Sequence, residues 1–423
     1  MQIKIEKIIY PGRSFAKENS KVIFTDEGIP GEIVKVKILK EKKNFIEAET
    51  QFVLNLSSAR KKPRCLHYKV CSPYQYIDYE QQLQIKKEQI IEMFSHFLKI
   101  ELPEIVIHSS PEILGYRNKI HLHITNNDQL SYAYHTPEYT NKFTEINSCS
   151  LASEQINNFL ARLLSLLQKN SITYVKEVTV RENHHKSQML VSLHGIFSKK
   201  QTQQLKQITA VLLSEFPLNG IICINSKAKT LKILHGKNII SEAVAAKDFS
   251  FGIQSFFQIN IPLFKILIDD LKKSLILNGR ETVIDLYSGV GIFAVIFAAW
   301  VKKVIAVEIS EHNTNFLKYN VQANSLNNVF FYKSSCEKQK NMISKNNPDI
   351  IIVDPPRKGL SNVIIEQILL HPANYLVYVS CDPSTLTRDL KILLDKYSLE
   401  KIHAYDFFPQ TTHIETLVIL KKI

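Results

Sequence analysis

Residues 282–294 read TVIDLYSGVGIFA, and this stretch decides how the C-terminal part of the chain folds. The apolar, β-branched run from Thr282 to Leu286 suits a buried strand. Gly289 and Gly291 then let the backbone turn tightly and let a ligand approach it. An apolar run from Ile292 to Trp300 starts a helix straight after the turn. Outward from this unit, strand and helix signals alternate. A helix precedes it at 261–275. It is followed by strand KVIAVE, helix 311–324, strand VFFYKS, strand DIIIVD, helix 361–370, strand YLVYVS and helix 384–395. The tail carries two strand-like runs joined by a polar loop. Alternation of apolar strands with helices predicts a doubly wound α/β sheet.

The same segment supplies candidate chemistry. Gly-x-Gly-x-x-Ala at 289–294 satisfies the dinucleotide fingerprint. The next strand ends in Glu308, where a carboxylate can hold both hydroxyls of a ribose. That serves either NAD or the adenosine of S-adenosylmethionine. Asp354 ends the fourth strand, on the edge where such sheets place ligands. Pro355 and Pro356 behind it withhold two backbone donors and stiffen the loop. Cys381 ends the strand YLVYVS and is followed by Asp382-Pro383. Ser384 is a candidate cap for the next helix, so the thiol is expected at a helix N-terminus with a lowered pKa. A thiolate there would serve as a nucleophile. Glu415, where the polar loop enters the last strand, becomes a candidate general base if it lies beside that thiol.

The rest of the chain differs in character. Residues 2–50 carry four short alternating runs separated by turn residues, which predicts a small OB-like β-barrel. Lys35 and Lys37 lie on its solvent face, with Lys40, Lys42 and Lys43 just beyond. SSARKKPRC (57–65) reads as a linker, residues 80–98 as an amphipathic helix, and 112–235 as α+β. Expected boundaries are therefore 1–56 for the barrel, 57–254 for the central region and 255–423 for the doubly wound domain. The 423 residues carry a net charge of +13, which favours a polyanionic partner, nucleic acid above all. The longest apolar stretch, Ile292 to Val301, is too short to span a bilayer. With no export signal at the N-terminus, a cytoplasmic location is expected and no membrane contact. The six cysteines are too sparse for a disulfide framework and point to thiol chemistry or metal binding.

Six ordered stretches together carry a resemblance: SFFQIN (255–260), DLYSGVGIF, VIAVEIS, VDPPRKGL, VSCDPSTLTRDL and PQTTHIET. They resemble the motifs of the S-adenosylmethionine-dependent RNA 5-methyluridine methyltransferases. The N-terminal GRSFAKENSKVIFTDEGIPGEIVKVKI resembles the TRAM RNA-binding domain. The resemblance implies Gln258, Tyr287, Glu308 and Asp354 as cofactor contacts, Cys381 as nucleophile and Glu415 as base. It departs at Ile292, where many members carry Asn. Many members also hold a four-cysteine iron–sulfur cluster. Cys65, Cys71 and Cys149 match three of its ligands, but Tyr74 occupies the fourth position, and His67 lies nearby. The implied partner is RNA, ribosomal in preference to transfer RNA, and a monomer is expected.

Three other readings compete. An NAD-dependent oxidoreductase fits the glycine turn and Glu308 but gives the Asp-Pro-Pro and Ser-Cys-Asp-Pro edges no role. A non-catalytic RNA-binding assembly factor fits the basic barrel but not the pairing of Cys381 with Glu415. RNA 5-methylcytidine enzymes resemble a pattern with a cysteine in the strand-four motif, where this chain has DPPR.

Overall fold

The computed structural model describes residues 1–136, 142–228, 230–339 and 341–423. The N-terminal residues form a six-stranded β-unit with a small apolar core that includes Ile3, Ile23, Val34 and Ile46. Four runs were expected and six strands formed. The first run breaks because its two ends pair with different partners: Gln2–Lys4 with 33–35, and Lys7–Ile9 with 13–15. Strand Arg13–Glu18 was also missed. Lys35, Lys37, Lys40, Lys42 and Lys43 are all exposed.

The central region is a seven-stranded sheet. Its strands include Lys119–Asn126, Val175–Glu182 and Met189–Gly195, lying side by side in that order. Helices Glu154–Lys169 and Lys199–Glu215 contribute to one core with its inward residues Leu122, Val178 and Val191. Ser153 and Ser198 cap these helices, accepting from Ile156 N–H and Gln201 N–H.

The C-terminal sheet has eight strands. Five are parallel, in the order Val329–Lys333, Lys303–Glu308, Thr282–Leu286, Ile350–Val353 and Tyr375–Ser380. Glu415–Lys422 then pairs antiparallel with Tyr375–Ser380, and Tyr397–Tyr405 pairs antiparallel with Glu415–Lys422. Two separate apolar cores include residues of the same strands, such as Val283 and Ile284, whose side chains alternate across the sheet. This is the doubly wound α/β arrangement expected. Earlier segments join it: Ile105–His108 adds an eighth, edge strand, and helix Tyr79–Leu98 packs into one core through Ile90 and Phe94. Among the described residues no helix is long and apolar enough to cross a membrane.

Candidate active site

The sheet order creates the site. Strand Thr282–Leu286 has one parallel neighbour on each side, and the chain leaves those strands in opposite directions. A crevice opens at their carboxyl ends, the usual ligand position in such sheets. A cavity of about 420 Å³ lies there, lined by Gln258, Tyr287, Gly289, Glu308, Asp354, Cys381 and Glu415 among others. Ile292, Pro355, Pro356 and Arg357 also line it, as does Phe256, an exposed ring.

Antiparallel register joins the two catalytic candidates. Ser380 is paired with Thr416. Cys381 follows the first and Glu415 precedes the second, so the two residues come out opposite each other at the end of the ladder. A sequence separation of 34 positions is thereby closed by one strand pair.

The glycine turn is held by the strand beside it. Gly289 N–H donates to Glu308 Oε2 at 2.8 Å, and Ser310 N–H donates to Oε1 at 2.7 Å. Glu308 is thus fixed at the cavity wall, with further lone pairs able to accept ribose hydroxyls. Gly289 has a φ of +57°, and a Cβ there would meet nothing within 4 Å. Gly291 behaves differently. It does not line the cavity; its φ is +88° and a Cβ would strike Leu317 Cγ at 2.8 Å. Its lack of a side chain lets the first turn of helix Ile292–Ala298 pack against helix Glu311–Ala323. Tyr287, a non-glycine residue, also has a left-handed φ of 63°, which turns the chain at the cavity rim.

Burial sets the protonation of the acids. Asp354 is pushed from 3.8 up to about 7 by burial. Glu415 is raised well above the carboxylate range by burial and then by Asp354. Burial, with Glu415 next, pushes the Cys381 thiol up to about 11. The expected lowering by a helix N-terminus does not occur in the ligand-free cavity. Asp382, not Ser384, caps that helix, its carboxylate accepting from Ser384 N–H and Thr385 N–H. The cap thus takes up the first amides of the helix and adds a carboxylate near the sulfur.

Sequence reading missed the residues that hold this edge in place. Arg181, fully buried, donates to the carbonyls of Ser255 (3.0 Å) and Phe257 (2.9 Å), fixing the segment that carries Gln258. Lys86 donates to Asp406 at 2.6 Å, both side chains fully buried. Gln82 exchanges two hydrogen bonds of 3.0 Å with Gln410. These last two pairs anchor the 406–414 loop that delivers Glu415. The available signal was polar Gln82, Lys86 and Gln89 at core spacing on one helix. Asp285 was missed too: it is fully buried behind the glycine turn, where its Oδ2 accepts from Ala294 N–H. Burial, then Asp354, raises its carboxyl well above the usual range.

The cysteine site offers an incomplete donor set. Cys65, Cys71 and Cys149 lie close enough that Cys149 raises the pKa of both others, after burial as the main cause. Tyr74, in the fourth position, is turned away into a core with Ile8, Ile29 and Tyr76, and its hydroxyl accepts from Gln89. A four-thiolate cluster needs four such ligands, and these residues supply three. The set does not fit the group, and no chemistry is routed through it.

A cavity at the switch point of a doubly wound sheet, walled by Glu308, Asp354 and a facing thiol, is the arrangement expected of an S-adenosylmethionine-dependent methyltransferase. Comparison with known proteins agrees. The tRNA (Uracil-5-)-methyltransferase family model matches residues 78–423, and the TRAM domain model matches residues 1–50. The chain belongs to that family and is an S-adenosylmethionine-dependent RNA (uracil-5-)-methyltransferase. It is 31% identical to an uncharacterized RNA methyltransferase of Thermotoga maritima, covering 100% of this chain and 99% of the relative. It is 28% identical to one from Synechocystis, covering 100% and 96%. The solved Pyrococcus abyssi tRNA (uracil-54, C5)-methyltransferase, in complex with S-adenosyl-L-homocysteine, has the same fold, with a TM-score of 0.78. It is 23% identical, and the match covers 99% of this chain and 100% of that one.

Proposed function

We propose that the chain methylates C5 of a uridine in ribosomal RNA through a covalent bond between Cys381 and C6 of the base. The observation that carries the mechanism is the placement of Cys381 opposite Glu415 on the wall of the cavity that also holds Glu308 and Asp354. Uracil C5 alone is a poor nucleophile. Addition of the Cys381 sulfur to C6 turns C5 into an enolate-like carbanion able to attack. S-adenosylmethionine, when bound, would supply the methyl group: the C5 carbanion takes it as the sulfonium S–CH3 bond breaks, leaving neutral S-adenosylhomocysteine. Close to the cationic sulfonium Cys381, Asp354 and Glu415 all ionise more readily than in the ligand-free cavity. After transfer C5 carries both the methyl group and its original proton. Glu415 removes the proton, the C5–C6 double bond re-forms, and Cys381 leaves as thiolate. Asp354 faces the polar edge of the base. The exposed ring of Phe256 at the mouth offers a surface on which an extruded base can stack.

The ribosomal target rests on the N-terminal TRAM domain and the three retained cysteines. Transfer RNA is the second reading, favoured by the names of the matching family and of the Pyrococcus structure. Mapping 5-methyluridine in both RNA classes, with and without the gene, tests the assignment. Loss confined to transfer RNA would overturn the ribosomal reading and leave the chemistry intact. For the mechanism, Glu415→Gln is expected to transfer methyl but stall release, leaving protein attached to RNA on a denaturing gel. Normal turnover by Cys381→Ala would refute the covalent step.

A further inference from the structure

We propose that one face of the central sheet holds a divalent transition-metal ion of the zinc class, bound by His121, His123 and Glu177, with His194 beside Glu177. The alternation of strand Lys119–Asn126 puts Ile120, Leu122 and Ile124 into the core. His121 and His123 therefore project together from the other face. Glu177 is in register with His123 on one side and with His194 on the other. Three adjacent strands thus present imidazole, carboxylate and imidazole in one row, with His121 one step along the same face.

The distances separate this group from a hydrogen-bonded one. Glu177 Oε1 lies 3.5 Å from His123 Nδ1, and Oε2 lies 3.6 Å from His121 Nε2 and 3.7 Å from His194 Nδ1. These are long for hydrogen bonds. They are close to the spacing of donors around one ion, because bonds of about 2.0–2.1 Å in a tetrahedron set ligand atoms about 3.3–3.4 Å apart, and His123 faces one carboxylate oxygen while His121 faces the other. The donor atoms of His121, His123 and Glu177 all lie within 4.8 Å of one another. The second ring nitrogens of His121 and His194 are held by hydroxyls. His121 Nδ1 lies 2.8 Å from Thr179 Oγ1, and His194 Nε2 lies 2.9 Å from Ser192 Oγ, which fixes each ring.

A second cluster supplies a contrast. His108, Asp270 and His403 also converge, but His108 Nε2 is 3.2 Å from both His403 Nδ1 and Asp270 Oδ2, and Tyr405 O–H donates to Asp270 at 2.9 Å. Those contacts close on themselves. At the proposed site His121 and its neighbours stay open to solvent, on a face that passes through Lys119 and Gln254 towards Phe256 at the cavity mouth. An ion there would add positive charge along that approach.

The test uses the full chain, stripped with chelator and titrated with Co²⁺. One equivalent should bind with a tetrahedral d–d band and survive desalting, and Zn²⁺ should displace it. Glu177→Gln and His123→Gln should each weaken binding at least tenfold, with thermal melts confirming the fold. The milder Thr179→Val should weaken it by about tenfold through the ring it orients. His403→Gln should leave binding unchanged. Failure to retain Co²⁺, unchanged affinity in Glu177→Gln, or loss in His403→Gln would each overturn the site.

Discussion

Cys381, the proposed nucleophile, sits in an environment that favours its protonated thiol in the ligand-free chain. Its thiol is pushed up to about 11 by burial and by Glu415. In cofactor-free protein, alkylation of Cys381 by iodoacetamide should therefore be slow at pH 8 and rise with a midpoint near that value. Bound S-adenosylmethionine should move the midpoint down, because a nearby cation favours thiolate. Peptide-resolved mass spectrometry separates Cys381 from the other thiols. Asp354 leads to a stability prediction with a definite sign. Its carboxyl titrates at about 7 in the folded chain against 3.8 unfolded. Across that window the folded chain keeps a proton that the unfolded chain releases, so this group lowers stability as pH rises through it. Urea unfolding of the ligand-free protein should show Asp354→Asn gaining stability relative to the native chain at pH 7 but not at pH 4. Equal shifts at both pH values would contradict the assignment.

At the scale of elements, the site depends on the loop that leads into Glu415. The 406–414 segment delivers Glu415, and it is tied to helix Tyr79–Leu98 through Lys86–Asp406 and Gln82–Gln410. Burial lowers the Lys86 pKa although Asp406 opposes the shift. Removing one partner leaves a buried charge uncompensated. Lys86→Met should cost about 3–5 kcal/mol of stability, while Lys86→Met with Asp406→Leu should recover most of the loss. A double variant as unstable as the single one would show that the pair does more than satisfy itself. The Asp-Pro-Pro loop is braced in a similar way: Asp389 accepts from Leu360 N–H at 2.8 Å and from Tyr378 O–H at 2.7 Å.

For the whole molecule, the excess positive charge should govern how RNA is held, not how fast methyl is transferred. Lys35, Lys37 and Lys40 are exposed on the N-terminal β-unit and do not line the cavity. Replacing all three with Ala should weaken RNA binding and make the slope of log K against log salt shallower by about 2–3. The rate at saturating RNA should hardly change, and a fall in that rate alone would place these lysines in the catalytic step. Much of this was legible in the chain. Apolar periodicity located the strands and helices around 282–294, and six short motifs fixed the order of the site residues, because turns, caps and buried strands are local consequences of sequence. What periodicity does not encode is long-range pairing. It gave no sign that Ile105–His108 would join the C-terminal sheet, or that Lys86 and Arg181 would anchor segments of the catalytic edge. Nor did it show that Gly291 would pack against Leu317. The Cys381 thiol shows the same division. Sequence placed it at the start of a helix, which lowers a pKa. Tertiary structure buried it between carboxyls, which raises it, because the energy of a charge depends on what the fold brings within a few ångströms.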